Sequence, residues 1–150
     1  MIQLSDTRLP TDNWYDCGKV VARCVLDYYS IDESYSNRII PTPTSGTSPV
    51  VLQQTFQLAG LHVAQGNWTI DVVKRLRDPF IAYINAYDGI DHYVVVRGVQ
   101  RNRVYVFCPE DGLVSYPLPQ FLSRWHSVTN NLPIKNGGML VCQPNLSVKQ

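Results

Sequence analysis

The chain has 150 residues, 45% of them hydrophobic and 17% charged. That is enough for one complete core and too little for two ordinary domains, so residues 1–150 read as a single domain. Thirteen Lys and Arg against twelve Asp and Glu leave a net charge of +1, which excludes a basic face for nucleic acid and a polyanionic tail.

After a polar lead-in containing Pro10, Asp16 reads as the N-cap of a helix running to Tyr29. Val21, Cys24, Val25 and Tyr28 fall at helical spacing as its buried face, with Lys19, Arg23 and Asp27 toward water. A shorter helix is expected over Glu33 to Ile40, ending before Pro41-Thr42-Pro43. Thr47 or Ser48 as cap, Pro49 in the first turn and Gly60 at the end mark a second main helix. Leu61 to Ala64 suggests a short strand with His62 on the face opposite its neighbours, and Thr69 to Leu76 a further short helix.

From Pro79 the pattern becomes extended. Phe80–Ala86, His92–Val99, Arg103–Phe107 and Gly138–Gln143 read as strands, and Asp88-Gly89 and Gln100-Arg101-Asn102 as the turns of antiparallel hairpins. Pro119 to Trp125 supplies one or two helical turns before the last strand, which closes the sheet near the C-terminus. Helices followed by an antiparallel sheet make an α+β fold. No stretch approaches the roughly 18 apolar residues that span a bilayer, and residues 1–6 lack the pattern of a signal peptide, so a cytoplasmic location is expected.

The four cysteines, at 17, 24, 108 and 142, include no Cys-x-x-Cys pair and fit neither a zinc ribbon nor a disulfide framework, so no metal and no cofactor is expected. Cys24, beside Val21 and Val25, reads as a packing residue. His62 and His126 read as surface or structural residues. Cys17 differs from these, because a thiol at a helix N-terminus faces unpaired N–H groups and the positive end of the macrodipole, both of which favour the thiolate. A nearby imidazole would lower its pKa further. His92, at the head of its strand, is the candidate: a cysteine on the first helix and a histidine on the sheet can meet across a cleft between two layers.

Several segments resemble one family when taken in order. They are Asp16-Cys17-Gly18 with the helix ending Leu26-Asp27-Tyr28-Tyr29-Ser30-Ile31, then Thr44-Ser45-Gly46-Thr47-Ser48 and Leu58-Ala59-Gly60-Leu61. The sheet half adds Pro79-Phe80-Ile81-Ala82, His92 to Gly98, Val104-Tyr105-Val106, Pro109 with Gly112, and Phe121 to Trp125. Their order and spacing resemble the papain-like C39 peptidases, bacterial domains that cut leader peptides from bacteriocin precursors after a double-glycine motif. The resemblance spans nearly the whole chain. It implies a papain-like cysteine peptidase fold, with N-terminal helices packed on a C-terminal antiparallel sheet. It further implies Cys17 as nucleophile, His92 as its base, acyl transfer through a thioester, and a peptide substrate with small residues before the cleavage point. The partner it implies is an ABC exporter at the cytoplasmic face of the membrane, although this sequence carries no Gly-x-x-x-x-Gly-Lys phosphate loop.

Two positions depart from the family. The aspartate that orients the histidine there is Cys108 here, and a neutral thiol is a weak acceptor that holds an imidazole tautomer poorly. Asp111 and Asp91 are the carboxylates near enough to substitute, though Asp91, next to His92 on a strand, points to the opposite face. Cys108 is otherwise inert, or crosslinks to Cys17 on oxidation. The family's glutamine six residues before the nucleophile, a side-chain donor of the oxyanion hole, is Thr11 here. Asn13 is the nearest amide and reads either as that donor or as a turn residue, and the Cys17 N–H supplies a second donor. Trp14 and Tyr93 either line the cleft or belong to the core. The leading reading is a C39-type cysteine endopeptidase. The alternatives are a catalytically impaired C39-like domain that binds a peptide or transporter partner, and a papain-like acyltransferase or amidase that shares the dyad.

Overall fold

Helix α1 spans Cys17–Tyr28 and follows Asp16 at the N-cap position. The Asp16 side chain makes no capping hydrogen bond, because its backbone is already helical (φ −84°, ψ −2°) rather than extended as a side-chain cap requires. Val20, Val21, Ala22, Cys24, Val25 and Leu26 are all buried, a wider stripe than the one read from the sequence. The extra coverage comes from Ile2 and Leu4 of the N-terminal segment and from the helix that follows. In this computed structural model the described residues are 1–9, 16–41, 46–85, 91–125 and 135–144.

A 3₁₀ turn over Glu33–Arg38 is capped by Asp32, whose carboxylate accepts the Ser34 N–H at 2.9 Å. Helix α2, Pro49–Leu58, has Ser48 as its cap and Pro49 in the first turn. Its Leu52 and Phe56, one turn apart, are fully buried against α1 and the sheet. After α2 come strand β1 (His62–Asn67), helix α3 (Ile70–Val73), β2 (Phe80–Asn85), β3 (Asp91–Gln100), β4 (Arg103–Cys108), β5 (Gly112–Pro117), α4 (Leu118–Trp125) and β6 (Gly137–Cys142). Strand β5 has no counterpart in the sequence reading. It is an edge strand, half exposed along most of its length and closed by Pro117, so it lacks the apolar alternation of a buried strand. Helix α3 is shorter than the stretch from Thr69 to Leu76 suggests, and β1 runs three residues past Ala64. The Asp88-Gly89 turn lies outside the described residues.

The six strands form one sheet in the order β1-β6-β2-β3-β4-β5, with every adjacent pair antiparallel. Side chains alternate between two cores. Ile81, Tyr83, Tyr93, Val95, Phe107, Met139 and Val141 face α1 and α2. Phe80, Ala82, Ile84, Val94, Val96, Val104, Val106 and Cys108 face α4, where Phe121 and Trp125 complete the layer. Helices therefore cover both faces of the sheet.

One irregularity positions the N-terminus. The β3–β4 register shifts between Val96 and Gly98, leaving Arg97 in a bulge. The Arg97 carbonyl accepts the Ile2 N–H at 3.1 Å, and its guanidinium donates to the Ile2 carbonyl at 2.9 Å. The chain then crosses toward the β4–β5 turn, where Arg8 pairs with Asp6 at 2.7 Å and reaches the Glu110 carbonyl at 3.5 Å.

Candidate active site

Cys17 is the first residue of α1, and the glycine after it is required by packing. A Cβ on Gly18 would stand 2.6 Å from the Thr47 Cβ, so α1 and the segment before α2 approach as closely as they do only because residue 18 has no side chain. The same Thr47 accepts a hydrogen bond from the Tyr93 hydroxyl to its carbonyl, at 2.5 Å. Tyr93 is buried and packs edge-on to Tyr83 with centroids 5.5 Å apart. Of the two readings for Tyr93, its ring takes the core one. Its backbone does something the sequence did not reveal: strand β3 runs past the end of β4, and there the Tyr93 N–H is directed at the Cys17 sulfur, together with the N–H of Gly18.

These two N–H groups stabilise a thiolate, but burial outweighs them. Cys17 is only 5% exposed, and desolvation pushes its thiol up to about 12. The N–H groups act in the direction read from the sequence, but here a dipole and two N–H groups count for less than the loss of water around a charge. His92 follows the same logic in reverse. At 6% exposed, its imidazole is pulled down to about 4 by burial, with Arg124 adding to the depression and Asp111 opposing it. Both shifts favour the uncharged forms.

Among the described residues, the hydrogen-bond partner of the His92 ring is Cys108 rather than Cys17: Nε2 lies 3.7 Å from the Cys108 sulfur. Both side chains project toward α4, while the thiol of Cys17 lies in the layer on the other side of the sheet. Cys17 meets strand β3 at the backbone N–H of Tyr93, the residue after His92, where β3 overruns β4. The Cys108 sulfur sits in a ring of polar groups. The N–H groups of Glu110 and Asp111 point at it, the Tyr116 hydroxyl is within hydrogen-bond reach, and its own thiol donates to Asp111 Oδ2 at 3.8 Å. Burial raises the Cys108 thiol nonetheless. Arg124, from α4, lies over the Tyr116 ring at 6.0 Å from its centre.

Cys24 is buried with its sulfur 3.9 Å from the Ser5 carbonyl, a packing position as expected, and His62 is exposed. Thr11, Asn13, Trp14 and His126 lie outside the described residues, so the side-chain oxyanion donor is not placed. Among the described residues no group of three or more His, Cys, Asp or Glu is arranged to hold a metal ion, and no helix is long and apolar enough to cross a membrane.

The sequence profile of the peptidase C39 family matches residues 10–132. Among curated proteins, the lactococcin transport/processing ATP-binding protein LcnC-like of Lactococcus lactis subsp. lactis (strain IL1403) is 25% identical over 120 residues, covering 76% of this chain and 17% of that protein. The lactococcin-G-processing and transport ATP-binding protein LagD of Lactococcus lactis subsp. lactis is 25% identical over 118 residues, covering 75% and 17%. The chain thus spans under a fifth of the length of these relatives. Among solved structures, a double glycine motif protease from an AMS/PCAT transporter, in complex with its leader peptide, superposes with a TM-score of 0.75 at 16% identity, covering 95% of this chain and 94% of that one. The peptidase domain of Streptococcus ComA gives 0.74 at 17% identity, covering 96% and 100%. At such identities the shared property is the fold, helices on an antiparallel sheet in the papain-like manner.

Proposed function

This chain belongs to the peptidase C39 family, and on that premise we propose that it is a cysteine endopeptidase that cleaves a leader or precursor peptide after small residues of the double-glycine type. The observation that carries the reading is the Cys17 sulfur on the Tyr93 N–H, one residue from His92, with the histidine's Nε2 turned to Cys108. An imidazole whose Nε2 is engaged keeps Nδ1 for the nucleophile.

In this mechanism the neutral His92 takes the Cys17 proton as the sulfur attacks the scissile carbonyl, so the ion pair arises during the reaction. Negative charge grows on the carbonyl oxygen, and the Cys17 N–H at the start of α1 is a donor for it. The tetrahedral adduct collapses to a thioester, and the imidazolium returns its proton to the leaving amine. Water then attacks the thioester with His92 as base and restores the thiol. The peptide substrate and an ABC exporter as partner are supported by relatives whose names join processing to transport, and a cytoplasmic setting follows from that partnership.

One observation favours a second reading, a domain that binds its peptide with little or no cleavage: the residue facing His92 is a neutral thiol where the family's pattern has a carboxylate. A single experiment separates the two. Peptides bearing Gly-Gly before a cleavage point are incubated with the protein and with Cys17→Ala and His92→Ala variants, and products are read by mass spectrometry. Cleavage after the second glycine that both substitutions abolish supports the peptidase. Binding without cleavage by the unsubstituted chain favours the second reading.

A further inference from the structure

Hydrogen counting around Cys108 leads to a role for a residue outside the proposed dyad. The Cys108 sulfur has one hydrogen and two acceptors within reach, Asp111 Oδ2 at 3.8 Å and the Tyr116 hydroxyl; the carboxylate is the charged one, and the hydroxyl has its own hydrogen to donate to the sulfur. The Asp111 carboxylate can only accept, and a charged acceptor holds a donor better than a neutral one. With its hydrogen so committed, the sulfur can meet His92 Nε2, 3.7 Å away, only as an acceptor. Nε2 must then carry the imidazole hydrogen, and Nδ1 is left with the lone pair.

We propose that Asp111 is a positioning residue that sets the tautomer of His92 through the Cys108 thiol, keeping Nδ1 free to act as the base. The proposal rests on the peptidase reading for its catalytic consequence, but not for the tautomer itself. Without Asp111 the thiol hydrogen would be released to Nε2, and the imidazole hydrogen would move to Nδ1, where it blocks proton transfer from Cys17. The groups that face this arrangement are Asp111 and Glu110 on the β4–β5 turn, Tyr116 on β5 and Arg124 on α4. Asp111 is exposed on its turn, so its side chain can be removed without opening the core.

The test uses the whole chain labelled with 15N-histidine, at pH 7.5, with the His92 signals assigned by a His92→Gln variant. Long-range proton–nitrogen correlations should show Nε2 protonated and Nδ1 bare in the unsubstituted protein. In Asp111→Ala the pattern should shift toward Nδ1–H, and any peptide cleavage should lose about 10- to 100-fold in kcat with KM little changed. The double variant Cys108→Asp/Asp111→Ala, in which a carboxylate meets Nε2 directly, should restore the Nε2–H form. A tautomer unchanged in Asp111→Ala, or Nδ1–H in the unsubstituted protein, overturns the proposal. The spectrum needs no turnover, so a chain that cleaves nothing would fail the peptidase reading while still testing this one.

Discussion

Acid should destabilise this protein through His92, and the size of the effect can be stated in advance. The imidazole is buried and held down to about 4, against an ordinary value of 6.5. Below pH 6.5 the unfolded chain takes up a proton that the folded chain refuses until about 4, so stability falls as the pH is lowered through that window and is recovered above it. Each tenfold difference in proton affinity is worth about 1.4 kcal/mol. The loss attributable to His92 is then about 2 kcal/mol at pH 5 and about 3 kcal/mol by pH 4. Urea unfolding of the unsubstituted protein and of His92→Gln at pH 7.5 and pH 5 isolates it, because the other titrating groups cancel in the difference. Equal pH dependence in the two proteins would refute the burial of a neutral imidazole.

Burial of Cys17 makes a kinetic prediction: iodoacetamide should label it at pH 7.5 at least about tenfold more slowly in the folded protein than in urea, since a thiol raised to about 12 offers little thiolate. Faster labelling of the folded form would contradict the electrostatics described above. Gly138→Ala should cost about 1–3 kcal/mol or more in chemical denaturation. Its Cβ would land 2.1 Å from Phe80 Cζ, on a ring already held edge-on by Trp68 and Trp125. Gly18→Ala should be destabilising despite a gain of up to about 1 kcal/mol in helix propensity, because of the 2.6 Å approach to Thr47. Adding Thr47→Gly should return most of the loss.

The helices and the central strands were legible because each carries its own signal. Ser48-Pro49 opens α2 as a cap and a first-turn proline should, and the valine run after His92 lies between two cores that both take apolar side chains. The candidate site was half legible. Cys17 and His92 stood out by residue type and place, and Asp111 as a carboxylate near Cys108. What could not be read was the outcome of competing local terms. An N-terminal thiol looks activated until its burial is known, and the core that Cys17 belongs to is gathered from residues as remote as Leu4 and Phe107. The N–H of Tyr93 carries no sequence signal at all, since every residue but proline has one, and its use depends on β3 overrunning β4. Strand β5 escaped because an edge strand has only one partner and needs no apolar alternation.

The neutrality of Cys17 and His92 has two contributors, burial of both groups and the lack of a charge at position 108, and Cys108→Asp separates them. The substituted carboxylate would meet donors already aimed at residue 108, the N–H groups of Glu110 and Asp111, the Tyr116 hydroxyl and the His92 ring. A negative charge in hydrogen-bond contact with an imidazole raises its pKa by about 1–3 units, and the nearby Asp111 carboxylate favours the imidazolium in the same direction. From about 4, the His92 value should therefore rise to somewhere between 5 and 7, roughly, which brings proton transfer from Cys17 within easier reach. Alkylation of Cys17 at pH 7.5 should then speed up, reporting a larger thiolate fraction. A rate unchanged by Cys108→Asp, with the imidazole shown by NMR titration to have moved, would mean that burial of the thiol alone sets its reactivity. An imidazole that did not move would refute the assignment of Nε2 to residue 108.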